Sequence, residues 1–147
     1  KPSRPGPFTA SRYEDAQRFQ NYSCSPVMEG FEPDTHAAEQ WSDPFKGGWI
    51  AHKQGSCIKF NVSGGIIMVQ YRKTINKPAP VAYAVIDGDR QNKVLLDANF
   101  DEDWGDLCCL EEIYSGTKGE HTVEIVIDTE GKENSNFMLI SVITANK

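Results

Sequence analysis

The stretch from Cys57 to Tyr71 constrains the fold more than any other part of this chain. Ile58, Phe60 and Val62 alternate with Cys57, Lys59 and Asn61, the period-2 pattern of a strand with one buried and one solvated face. Ser63, Gly64 and Gly65 follow, and glycine reaches the backbone angles that a tight turn demands. Ile66 to Tyr71 then resumes an apolar, β-branched run. The pattern predicts a hairpin, and a hairpin with one apolar face needs further strands to cover it.

Those strands are legible downstream. Val81 to Ile86 and Lys93 to Ala98, separated by the turn Asp87-Gly88-Asp89, predict a second hairpin. Leu107 to Tyr114, His121 to Ile127 and Phe137 to Thr144 add three more strands, divided by the Ser115–Gly119 turn and the polar segment Asp128–Asn136. Upstream, Asn21 to Phe31 reads as irregular strand and turn around Pro26 and Gly30. Thr74 to Pro80, with two prolines, reads as a crossover loop. Ser11 and Glu14 have capping-box spacing, and Tyr13, Ala16 and Phe19 lie three apart, which predicts a short helix from Ser11 to Gln20. The expected fold is all-β: an antiparallel jelly-roll sandwich with one short N-terminal helix.

A chain of 147 residues fits one domain, placed at 8–147. Residues 1–7 hold three prolines and a glycine and read as a linker. The net charge of -6 and the lack of a lysine and arginine cluster argue against nucleic acid as a partner. No apolar run reaches the roughly 18 to 20 residues of a membrane helix, so no membrane partner is expected. The first residues lack a signal-peptide core, which leaves the compartment open. Cys24, Cys57, Cys108 and Cys109 read as free thiols, since neighbours in a strand face opposite ways. A Cys24–Cys57 bridge stays open as the alternative.

The motifs Gly-Trp-Ile, Gly-Ser-Cys-Ile-Lys-Phe, Ile-Ile-Met-Val-Gln-Tyr-Arg-Lys, Ala-Val-Ile-Asp-Gly-Asp, Asn-Phe-Asp-Glu-Asp-Trp-Gly-Asp, Gly-Glu-His-Thr-Val-Glu-Ile and Phe-Met-Leu-Ile-Ser-Val succeed one another over residues 47–143. In that order they resemble the jelly-roll domain accompanying SGNH/GDSL-type hydrolases, including bacterial carbohydrate esterases. The Asp-Gly turn and the Gly-x-His-x-Val-x-Ile strand are similar to those of galactose-binding-like carbohydrate-binding modules. The resemblance implies a non-catalytic accessory module, secreted or at the cell surface, whose partners are a polysaccharide or oligosaccharide and an attached or neighbouring catalytic domain.

For chemistry of its own the chain offers little. It contains neither Gly-Asp-Ser nor Gly-x-Ser-x-Gly, so no strained turn presents a nucleophilic serine to His36, His52 or His121. His121, which follows a glycine turn, reads as a backbone-bonding residue. No cofactor is required by any motif. Asp101, Glu102, Asp103 and Asp106 crowd one loop and leave calcium open, although the spacing is not that of an EF-hand.

Sugar binding is the sharper expectation. Pyranose rings present C–H faces that stack on indole, and their hydroxyls need planar polar partners at the rim. Two loops combine both: Trp41, Asp43 and Trp49 in one, and Asp101, Asp103, Trp104 and Asp106 in the other. The competing reading makes Trp49 and Trp104 plugs at the sandwich ends, with Trp41 the most exposed. The function expected is a glycan-binding accessory module. The alternative is a structural sandwich that packs on a catalytic domain or on another copy without binding sugar.

Overall fold

A computed structural model describes residues 15–35, 45–102 and 104–146. In chain order its strands are β1 (Gln17–Phe19), β2 (Val27–Glu29), β3 (Glu32–Pro33), β4 (Trp49–Ala51), β5 (Cys57–Ser63), β6 (Ile66–Lys73), β7 (Val81–Ile86), β8 (Val94–Asp97), β9 (Leu107–Ser115), β10 (Glu120–Thr129) and β11 (Phe137–Ala145). One sheet runs β3-β4-β11-β6-β9, with β1 beside the second half of β11; the other runs β2-β5-β10-β7-β8. All strand pairs are antiparallel. This is the expected all-β sandwich, and the β7–β8 hairpin is among its elements.

Two expectations need correction. The stretch Cys57–Tyr71 is not a hairpin: β5 pairs with β2 and β10 in one sheet, and β6 with β11 and β9 in the other. The chain crosses between layers at Ser63–Gly65. Gly64 donates to Gly119 O (2.9 Å), and Gly65 donates to Ala145 O (3.0 Å). A Cβ at Gly64 would stand 2.8 Å from Ala145 O, so the crossing needs glycine there. The physical reason lies in burial: β5 alternates buried and exposed residues, whereas Ile66 to Val69 are buried without alternation. A continuous apolar strand belongs inside a sheet, and β6 lies between β11 and β9.

The predicted helix is also absent where it can be seen. Ser11 to Glu14 lie outside the described residues, Asp15 is in a turn with φ 61°, and Gln17 to Phe19 form β1 opposite Thr144 to Val142. Spacing of three at Tyr13, Ala16 and Phe19 does not distinguish a helix from a short edge strand. Pairing with β11 satisfies the backbone, and Phe19 packs at the margin of the core.

The core lies between the sheets and is rich in aromatics. Trp49 meets Phe60 edge-on at 5.1 Å, and Tyr71 stacks on Phe137 at 5.6 Å. Gly48 lets the chain enter β4 against β11, since a Cβ there would lie 1.9 Å from Leu139 O. All four cysteines are free thiols. Cys109 packs against the core, and the adjacent Cys108 pairs with Arg72 in the register of the sheet. Among the described residues no helix is long and apolar enough to cross a membrane.

His121, at the start of β10, locks the turn end of the sandwich. Its Nδ1 lies 2.7 Å from Asp87 Oδ2 and its Nε2 2.7 Å from Thr117 O. A backbone carbonyl and an ionised carboxylate only accept, so this geometry favours the doubly protonated ring. Burial pushes the His121 pKa down, but the bonds to Asp87 and Thr117 together raise it above the ordinary histidine value. The bond from His121, with that from the Thr122 N–H, holds Asp87 below the ordinary carboxylate value.

The signs follow by linkage. The His121 contribution is complete below the unfolded pKa of about 6.5 and is lost as pH rises through the raised folded value. The Asp87 contribution is complete above about 3.9 and is lost as pH falls through the lowered folded value. Urea midpoints measured from pH 3 to 9 should therefore plateau between about 4 and 6.5. The decline above that window should flatten in His121→Gln; an unchanged profile would show that the pair does not titrate as described.

Candidate functional site

Four connections meet at one end of the sandwich: 52–56, 74–80, 98–106 and 130–136, each running from one sheet to the other. Strand ends alone would leave these loops loose, and polar bonds tie them together. Thr74 donates its amide to Ala98 O (2.7 Å), and Phe100 donates to Thr74 O (3.0 Å). Asn99 clamps the next turn, with Oδ1 accepting from Ala79 N (2.8 Å) and Nδ2 donating to Ala79 O (3.0 Å). Asn76 Nδ2 donates to Asn134 O (3.1 Å), and Ser135 Oγ donates to Asn76 O (2.7 Å).

Trp104 stands on this braced end with 66% of its surface exposed. Phe100 meets it edge-on at 5.3 Å and 87°, which sets the indole orientation from below. A large, exposed aromatic at a loop end offers a flat apolar face to solvent. Asp106 forms the root of the loop. Its Oδ1 accepts from Thr74 Oγ1 (2.8 Å) and Ile75 N (3.3 Å), and its Oδ2 lies 3.9 Å from Arg72 Nη1.

Arg72 links this loop to the next. Its Nη2 donates to Asn136 O (2.9 Å), while its Nε is buried without a hydrogen-bond partner among the described residues. Burial pulls the Arg72 pKa below the ordinary arginine value, and the Asp106 and Asp34 carboxylates oppose that pull. Arg72 lines a cavity of about 220 Å³ together with Asp34, Lys46, Asn134 and Asn136, over the apolar side chains of Ile50 and Met138. Carboxylates (Asp34, Asp101, Glu102, Asp106, Glu130, Glu133) and cations (Lys46, Lys53, Arg72, Lys77, Lys132) are interspersed among the described residues of this end.

The expected site residues separate accordingly. Trp104 is exposed as a binding aromatic must be. Trp49 is 1% exposed beneath the sheets, so the expectation that its ring meets a ligand is corrected: it is a core residue, held there by its edge contact with Phe60. Asp106 braces the loop, and Asp101 is a 99% exposed side chain 3.7 Å from Lys77. Trp41, Asp43 and Asp103 lie outside the described residues, as does His36.

For calcium, no three Asp, Glu, His or Cys side chains converge to hold a metal among the described residues, and both Asp106 oxygens already face protein donors. Arg72, Asn134, Asn136 and Phe100 were not singled out by sequence. Arg72 reads as the polar end of a strand, and no spacing joins it to a residue 64 positions away.

No protein-family model matches the chain, and no curated protein matches it either. Among solved structures, a two-domain esterase (CEX) active on acetylated mannans, crystallised with mannopentaose, aligns over 100% of this chain and 40% of its own, at 44% identity and TM-score 0.89. A second structure of a two-domain esterase (CEX) active on acetylated mannans aligns at 42% identity and TM-score 0.90, with the same coverage. A CBM35 from Cellvibrio japonicus Abf62 shares the fold at 14% identity and TM-score 0.55, over 90% of this chain and 99% of its own. The chain thus spans 40% of the length of the esterases that it matches. The likeness carried by the motifs of residues 47–143 extends over the whole chain, and the chain is a jelly-roll β-sandwich of the galactose-binding-like, carbohydrate-binding-module fold, similar throughout to part of a two-domain esterase.

Proposed function

We propose that this chain is a non-catalytic module that holds a neutral polysaccharide at its loop end, in the service of an attached or neighbouring SGNH-type esterase domain. The observation that carries the reading is Trp104: an indole 66% exposed and braced by Phe100, on the loop whose root, Asp106, touches the cavity-lining Arg72. The indole supplies a flat apolar face for sugar C–H groups, and the arginine and asparagines supply donors and acceptors for hydroxyls. The carboxylates of this end, Asp101, Glu102 and Asp106 among them, favour a neutral glycan over a uronate, which would add a further negative charge beside them. The likeness to an esterase active on acetylated mannans makes a mannan the first glycan to try.

His121 supports a non-catalytic role, since both of its ring nitrogens are engaged by Asp87 and Thr117 rather than by a nucleophilic hydroxyl or thiol. The second reading, a module that packs on a catalytic domain, draws on the 40% coverage of a two-domain relative. In that case the loop end would form one wall of a cleft whose other wall lies on the partner domain.

Affinity electrophoresis through gels containing mannan, xylan or pectin discriminates the readings. Retardation by a neutral glycan, and none by pectin, is the expected result. Full mobility in every gel would overturn binding by this chain alone and leave the packing role.

A further inference from the structure

We infer that the opposite end of the sandwich carries a second, weaker contact for a neutral sugar ring, between the β7–β8 turn and the end of β9. The inference rests on the reading of this chain as a glycan-binding module. A cavity of about 310 Å³ opens there, lined by Ile86, Asp87, Asp89, Asn92, Ile113 and Tyr114. Ile86 and Ile113 are buried and form an apolar floor, and the Tyr114 ring is fixed by its contact with His121, 4.4 Å between centroids. The polar rim is preorganised by the turn. Asp87 and Gly88 take φ of 53° and 76°, and Asp89 caps the short 3-10 turn Arg90–Asn92.

That combination of apolar floor, aromatic wall and fixed planar acceptors is what a pyranose ring requires. A cation fits less well. Both Asp87 oxygens accept from His121 and Thr122, and both Asp89 oxygens accept from Gln91 and Asn92. Asp87 is already paired with His121 at 2.7 Å, and an apolar floor returns nothing to a dehydrated ion. Each carboxylate oxygen keeps a lone pair for a sugar hydroxyl, and Asn92 keeps its carbonyl oxygen. About seven residues of β9 separate this cavity from Asp106, roughly 20 Å along a strand, so the two contacts are distinct.

The test is an amide chemical-shift titration of the 147-residue chain with mannopentaose, for wild type, Trp104→Ala and Asn92→Ala. The expected result is two groups of shifts, one at residues 99–106 and 136, the other at 86–92 and 113–114. Trp104→Ala should lose the first group and keep the second. Asn92→Ala, an exposed substitution that spares the core, should keep the first and weaken the second at least about fivefold, the loss of its sugar hydrogen bond, with the Asn92 bond that holds Asp89 lost as well.

Shifts confined to the Trp104 end overturn the second contact and leave the proposed function standing. Shifts confined to the Asn92 end do the reverse, and no shifts at all overturn both for this sugar. A far group that vanishes in Trp104→Ala is a propagated change and overturns the inference. So does a far group reproduced by calcium chloride alone, which would mark a cation site.

Discussion

Trp49→Ala should lower the unfolding free energy by about 3–5 kcal/mol, the range for truncating a buried large aromatic. The indole is 1% exposed, meets Phe60 edge-on at 5.1 Å, and sits on a strand held between β3 and β11. Both sheets line its surroundings, since Phe60 comes from one and Leu139 from the other, so collapse into the hole would need two layers to move. Set against a typical stability of about 5–15 kcal/mol, the loss is a large share, and for a chain of this size it corresponds to a fall in melting temperature of about 10–15 °C. Trp49→Phe should lose markedly less, because part of the volume remains. Calorimetry decides the matter: a fall under about 1 kcal/mol would show that the ring is not a core residue.

Trp104→Ala should do the opposite, leaving melting within the roughly 0.5 kcal/mol usual for surface positions while removing retardation by the neutral glycan. The ring is two-thirds exposed and touches Phe100 at its edge, so its loss opens no cavity in the core. As the central aromatic of a small contact it should carry on the order of 2 kcal/mol, which weakens binding about thirtyfold and takes it below what electrophoresis detects. Trp104→Phe should retain part of the effect, since a smaller ring still stacks. Undiminished retardation in Trp104→Ala would move the site away from the 99–106 loop altogether.

These two tryptophans show where sequence reading stops. Both stand in Gly- and Asp-rich surroundings, and both fit a plug as well as a platform. From the sequence Trp49 reads as a loop residue, yet it belongs to the short strand Trp49–Ala51, three residues that are too few for a period to show in the sequence. Trp104 is exposed because its loop is fixed from behind by Asp106, Thr74 and Phe100, partners contributed in part by a loop some thirty residues earlier in the chain. Asp106 was legible as a functional carboxylate and turned out to be a brace. Arg72 and Asn136 were missed because only the register of the β6 and β11 strands brings them together.

The sequence by itself determined the local elements: alternation in β5 and β10, unbroken apolar runs in β6 and β11, and glycine or Asp-Gly at the turns. Those are properties of a residue and its near neighbours, and they suffice for an all-β sandwich. Only the tertiary structure decided which sheet each strand joined. Backbone hydrogen bonds are the same for every partner, and a Gly-Gly turn serves a hairpin and a crossing between layers equally well. The crossing at Ser63–Gly65 put β6 in the other sheet, between β11 and β9, and that register, carried to the strand ends, placed Trp104, Arg72 and Asn136 on one end of the molecule.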